Sequence, residues 1–171
     1  MWVVRAGGPA IFSGKDQAMR LPQTGGCQCG KLRYEISEAP LLVLTCHCTD
    51  CQAMTSSAFS MGVIVKEAAF RLTAGVPRLI PRIADSGRAL NRWVCPECAS
   101  WISGHPRPEA TTRNVRGGTF DDTSWLRPTV HLWTRSKQPW VVLPEGDRTF
   151  ETQPADLSAF FASGGASTPS G

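Results

Sequence analysis

Cys46, His47, Cys48 and Cys51 place three thiols and one imidazole within six residues. These are the donor types that borderline-soft metal ions prefer, and spacing this tight lets one short loop wrap a single ion. Three thiolates leave a tetrahedral metal one ligand short. The other four cysteines fall into two pairs, Cys27 with Cys29 and Cys95 with Cys98. Neither pair completes a tetrahedron alone, but together they do, and the two-residue gap of Cys95-Pro96-Glu97-Cys98 lets both thiolates of that pair reach one ion. The expected partition is four and three: a closed structural zinc on Cys27, Cys29, Cys95 and Cys98, and an open zinc on Cys46, Cys48 and Cys51.

Three thiolates on a dication carry net negative charge, so the metal is a weak Lewis acid that suits a soft fourth ligand such as a thiol. A small thiol bound there would ionise at neutral pH and become a nucleophile without a separate strong base. His47 has three candidate roles: it donates a hydrogen bond, passes a proton, or closes the shell itself. In an extended loop its side chain points away from both neighbouring cysteines, which weighs against ligation. An iron–sulfur cluster is the rival for an all-cysteine set, but the ferredoxin spacings are absent. No βαβ pattern surrounds Cys95 and Cys98 to suggest a thioredoxin-like pair.

Seven cysteines are an odd number, they are bunched, and no signal peptide precedes them, so thiolates on metal in a reducing cytoplasm are expected rather than a disulfide framework. No apolar run approaches the roughly 18 residues of a membrane span. Eighteen basic and 14 acidic residues give a net charge of +4, without the basic block that nucleic acid calls for. Among Arg78, Arg82, Arg88, Arg92, Arg107, Arg113 and Arg116, some are candidates to hold the carboxylates of an anionic ligand bidentately; the sequence does not say which. His131 and Trp133 alternate with Leu132 and read first as a core or rim pair.

The elements that must position these groups read as strands. Lys31–Ile36 alternates polar and apolar, Leu41–Leu44 is a short buried run leading into the Cys46 loop, and Ser57–Val65 follows that loop. Phe70–Leu72, Arg78–Ile80 and Ala89–Val94 continue the series, with Pro77 and Pro81 favouring an edge position. Asn114–Arg116, Thr129–Thr134 and Trp140–Leu143 complete it. Glycines flanking Cys27 and Cys29 suggest a tight ligand-bearing turn. Only Ala155–Ala162 reads as helix. At 171 residues the chain suits one domain, with residues 1–18 as a loosely attached extension, 19–162 as the zinc-binding domain and 163–171 as a polar tail.

Four stretches carry a family resemblance: Gly-Gly-Cys27-Gln-Cys29-Gly-Lys-Leu-Arg-Tyr, Cys46-His-Cys48-Thr-Asp-Cys51-Gln, Trp-Val-Cys95-Pro-Glu-Cys98, and Arg-Pro-Thr-Val-His131-Leu-Trp133 through Trp140. Over roughly Met19 to Glu151 the chain resembles the glutathione-dependent formaldehyde-activating enzyme family, whose domain is shared with centromere protein V. The resemblance implies a mainly β, β-tent fold of stacked antiparallel sheets with zinc-binding loops and at most one short C-terminal helix. It implies a structural zinc on Cys27, Cys29, Cys95 and Cys98 and a catalytic zinc on Cys46, Cys48 and Cys51. The implied activity is carbon–sulfur lyase chemistry run in the synthetic direction, adding glutathione to formaldehyde to give S-(hydroxymethyl)glutathione, with water or His47 supplying a proton. The implied partners are a small thiol and a small aldehyde, and a homodimer is compatible with the pattern. The alternative is a zinc-stabilised β-tent module that recognises a protein or nucleic acid without catalysis. Ala99 stands where the family usually has glycine, which puts the turn after Cys98 in question.

Overall fold

The computed structural model describes residues 19–83, 89–105 and 110–154. The strands are β1 (Gln23–Gly26), β2 (Arg33–Ile36), β3 (Leu42–Cys46), β4 (Ser60–Lys66), β5 (Phe70–Ala74), β6 (Arg78–Ile83), β7 (Ala89–Val94), β8 (Trp101–His105), β9 (Thr112–Arg116), β10 (Val130–Leu132) and β11 (Arg148–Phe150). One α-helix, α1 (Thr49–Thr55), follows β3 directly. The fold is mainly β. A small sheet has the order β1-β2-β5 and a large one the order β11-β10-β3-β4-β9-β8-β7-β6.

Successive side chains on a strand point to opposite faces, and the large sheet buries both of its faces around β3 and β4. Val63 and Val65 of β4 join Tyr34 and Ile36 of β2, Val115 of β9 and Phe120 in the core between the sheets. Ile64, one residue out of phase, packs with Leu42, Leu44, Val130 and Leu132 on the opposite face. This two-sided burial explains why Leu41–Leu44 and Val63–Val65 read as continuous apolar runs rather than alternating ones. Arg113 is buried in the first core, where it binds Glu67 with both Nε (2.9 Å) and Nη2 (2.6 Å) and lies over Trp93.

Several expectations need correction. The large sheet is not wholly antiparallel: β10 runs parallel to both β3 and β11. The α-helix among the described residues is α1, inside the cysteine loop, where the sequence suggested an extended loop; the expected helix over Ala155–Ala162 lies outside the described residues, as do residues 1–18 and the tail. Trp140–Leu143 forms no strand, and Trp140 and Val142 are exposed. Gly25 and Gly26 belong to β1 rather than to a turn. A Cβ at Gly25 would lie 2.4 Å from the Tyr34 hydroxyl, so the position is kept bare by close approach of the two strands.

Candidate metal centres

The seven cysteines are free thiols and gather into two groups, Cys27 with Cys29, Cys95 and Cys98, and Cys46 with Cys48 and Cys51. Within each group the sulfurs lie within 4.8 Å of one another. Individual separations are 3.4 Å for Cys27–Cys29, 3.7 Å for Cys29–Cys95 and 3.6 Å for Cys46–Cys48. A tetrahedron of sulfurs at metal distances of about 2.3 Å has edges of about 3.8 Å. Both groups therefore have the dimensions of a zinc–thiolate shell, one with four donors and one with three.

The four-sulfur group joins two turns. Between β1 and β2, Gly30 adopts φ of 78°, its N–H reaches the Cys27 carbonyl (3.0 Å), and the Leu32 N–H donates to the Cys27 sulfur (3.2 Å). Between β7 and β8, Ala99 adopts φ of 60° and its N–H reaches the Cys95 carbonyl (3.0 Å). The Ser100 hydroxyl sits 3.2 Å from the Cys98 sulfur and accepts from the Gln28 N–H at 3.1 Å, tying the turns together beside the sulfurs. Hydrogen bonds from the Ser100 hydroxyl and backbone bring the Cys98 thiol down to about 5, ready to bind metal as thiolate.

The three-sulfur group follows from strand register and a cap. Cys46 ends β3 opposite Ser60 of β4. Cys48 is the N-cap of α1, its sulfur accepting from the Cys51 N–H at 3.4 Å. Proton sharing with Cys46 and Cys48, a hydrogen bond from Ser60 and the charge of Arg116 together pull Cys51 down to about 2, against the effect of burial. Cys46 is pushed up correspondingly, mainly by its hydrogen bond with Cys48.

The same face of the large sheet carries three arginines. Opposed residues in an antiparallel pair share a face, so the register from β3 and β4 through β9, β8 and β7 to β6 aligns Arg116, Arg92 and Arg82 with Ser60 and Cys46. A register shift in β7–β8 brings Trp101 opposite Val94, and hence onto this face. Trp101 then lies against both Arg116, 4.1 Å from its ring, and Arg92, at 5.0 Å. Arg116 donates to the Ser60 hydroxyl (3.3 Å), while its buried Nε has no hydrogen-bond partner. Burial takes its guanidinium down to about 10, opposed by the nearby Cys51 and Cys46 thiols. α1 spans this face, with Asp50 paired to Arg82 and Met54 facing Arg92.

His47 is fully buried and points to the other face. Its Nε2 meets the Thr45 hydroxyl at 3.0 Å, and the same hydroxyl meets His131 Nδ1 at 2.7 Å. His131 Nε2 in turn reaches Asp147 at 3.0 Å, and Asp147 accepts two bonds from Arg127. Burial first, then the charges of His131 and Lys137, lower the His47 value, which keeps its imidazole neutral. Its backbone is held as well: the N–H donates to the Leu132 carbonyl (2.9 Å), and the carbonyl accepts from Gln52 Nε2 (2.7 Å) and Ser136 Oγ (3.0 Å). His131 therefore lies in a buried polar chain, while Trp133, at φ of 60°, stacks under Arg135. Sequence reasoning missed Ser60, Thr45, Ser100 and Asp147. Only their places in the register and turns mark them.

Comparison with known proteins adds a family. The model described as "Glutathione-dependent formaldehyde-activating enzyme" matches residues 22–136, which are 115 of the 171. One solved structure, a crystal structure of a Rhodobacter sphaeroides protein, is similar over 57% of this chain and 87% of its own, at 17% identity and a TM-score of 0.45. That likeness is too slight to bear on function. The family match is of another order: it contains all seven cysteines, and the chain belongs to the glutathione-dependent formaldehyde-activating enzyme family.

Proposed function

We propose that the protein joins a small thiol, glutathione in the first instance, to formaldehyde or a related small electrophile, using zinc at Cys46, Cys48 and Cys51. The observation that carries this reading is the incomplete donor set. Three sulfurs converge within 4.8 Å, and the imidazole of the same loop, His47, is turned to the opposite face and bound to Thr45. Zinc held by Cys46, Cys48 and Cys51 would supply a Lewis-acidic position that lowers the pKa of a bound thiol toward neutrality. In the reaction the thiol sulfur forms a bond to the aldehyde carbon. The carbon–oxygen π pair moves to oxygen, which takes up a proton from water, and the product is a hydroxymethyl thioether.

The chain's own residues prepare this step. Ser60, opposite Cys46, and Arg116, which donates to it, line the trio, and Cys48 caps α1 so that the trio keeps its spacing. His47 acts as a positioning residue that anchors the loop through Thr45, Leu132 and Ser136. Cys27, Cys29, Cys95 and Cys98 would carry a second, structural zinc. Seven free thiols suit a reducing cytoplasm, and no helix among the described residues is long and apolar enough to cross a membrane.

The test is glutathione titration into zinc-replete protein by calorimetry, with product formation followed by NMR of labelled formaldehyde. Saturable binding is expected, together with formation of S-(hydroxymethyl)glutathione above the spontaneous rate. Both should be lost in Cys48→Ser while its circular dichroism stays that of the parent. Absence of saturable binding in the parent, or undiminished binding in Cys48→Ser, overturns the reading.

A further inference from the structure

Arg33, Arg71, Arg82, Arg113 and Arg127 each pair with a carboxylate, Asp121, Glu35, Asp50, Glu67 and Asp147 in turn. Arg92 and Arg116 do not. Among the described residues the acceptor of Arg92 is the Met54 thioether (3.1 Å) and that of Arg116 is the Ser60 hydroxyl. A thioether is a weak acceptor, and a guanidinium removed from water without an anion is costly. Two such cations share one indole, Trp101, beside three thiols.

Their roles differ with depth. Arg116 is buried and faces inward to Ser60 and Cys51. Arg92 is half-buried, and its value is lowered by burial and by the neighbouring Arg82, while the Cys51 and Cys48 thiols oppose that shift. It is thus the outward member of the pair, on the sheet face that Cys46 shares and against α1, whose N-terminal turn carries Cys48 and Cys51. Stacking on Trp101 restrains the plane of its guanidinium, and a restrained guanidinium fork matches a carboxylate bidentately.

We propose that Arg92, seated on Trp101 between Met54 and Arg116, binds a carboxylate of the thiol whose sulfur occupies the open position at Cys46, Cys48 and Cys51. The site thereby selects thiols that bear an acid over neutral ones. This assignment rests on the thiol-binding reading above and adds the second anchor of the ligand. Met54, exposed at the C-terminal end of α1, forms the outer edge of this subsite.

The probes are two thiols of similar size, 3-mercaptopropionate and 2-mercaptoethanol, titrated into full-length cobalt-substituted protein while the sulfur-to-cobalt charge-transfer band is followed. The parent protein is expected to bind the carboxylate thiol about tenfold or more tightly than the neutral one, the worth of one charge-assisted bond. Arg92→Met should erase that preference by weakening 3-mercaptopropionate alone. Arg92→Lys, which keeps the charge but not the fork, should retain part of it. Equal affinities in the parent, or an equal loss for both thiols in Arg92→Met with the cobalt spectrum otherwise unchanged, overturns the carboxylate assignment and leaves thiol binding standing. If neither thiol alters the parent spectrum, the thiol-binding reading fails and this one with it.

Discussion

Ala99 shows what a single residue does to a metal turn. It holds φ of 60°, the left-handed region that glycine occupies freely and Cβ-bearing residues do not. The turn keeps this geometry because the Ala99 N–H bonds the Cys95 carbonyl and the Cys95 N–H bonds the Ser100 carbonyl, which together aim Cys95 and Cys98 at one point. Ala99→Gly is therefore expected to stabilise the zinc-loaded protein by about 0.5–1 kcal/mol, read as a higher urea midpoint at fixed zinc; an unchanged or lower midpoint would show that the turn carries no strain. At this scale the sequence was most informative about sulfur. Seven thiols at ligand spacing have few other uses, whereas Ser60, Thr45 and Ser100 are ordinary hydroxyls whose roles come from what lies across the sheet. Glycine misled at one point, since Gly25 serves close packing against Tyr34 rather than a turn.

Among the elements, β10 has the largest influence on the three-sulfur loop. It lies between β3 and β11, and the polar chain from Arg127 through Asp147, the residue before β11, and on through His131 and Thr45 to His47 crosses β10 and β3. Burial alone would raise the Asp147 carboxyl, but hydrogen bonds from Arg127 and His131 outweigh it and hold the group below the usual carboxylate range. A carboxylate depressed in the fold stabilises it above the unfolded value of about 4 and loses that contribution as pH falls through the folded value. Asp147→Asn should accordingly melt roughly 3–8 °C below the parent at pH 7, with the gap closing toward pH 3; a gap that is constant with pH would mean the ion pair adds nothing. Strand existence was readable wherever apolar pattern or proline punctuation was strong, and β6, which contains Pro81, is indeed the sheet edge. Parallel pairing of β10 was not readable, because periodicity reports a face and not a direction. Trp140–Leu143 failed for a related reason: an apolar run becomes a strand only where a partner edge awaits it, and among the described residues none pairs with it.

For the molecule as a whole, the four-sulfur group links the β1–β2 turn of the small sheet to the β7–β8 turn of the large one, 66 residues apart between Cys29 and Cys95. Metal bound there would act as folding energy rather than as decoration. Cys98→Ser is expected to lose several kcal/mol or more of stability and to unfold at room temperature by circular dichroism, whereas Cys48→Ser remains folded; the reverse ranking would exchange the roles of the two groups. The partition into four and three was legible because sulfur spacing is a local property, while the arginine face required the register of six strands, from β3 across to β6. The two groups also differ in when they can exist. The four-sulfur group is complete once residue 98 has left the ribosome. The wall behind the three-sulfur loop waits for His131, 86 residues beyond Thr45, and for β11 after it. A nascent chain that ends at residue 98 therefore holds all seven cysteines while the loop of Cys46, Cys48 and Cys51 still lacks its backing strand β10.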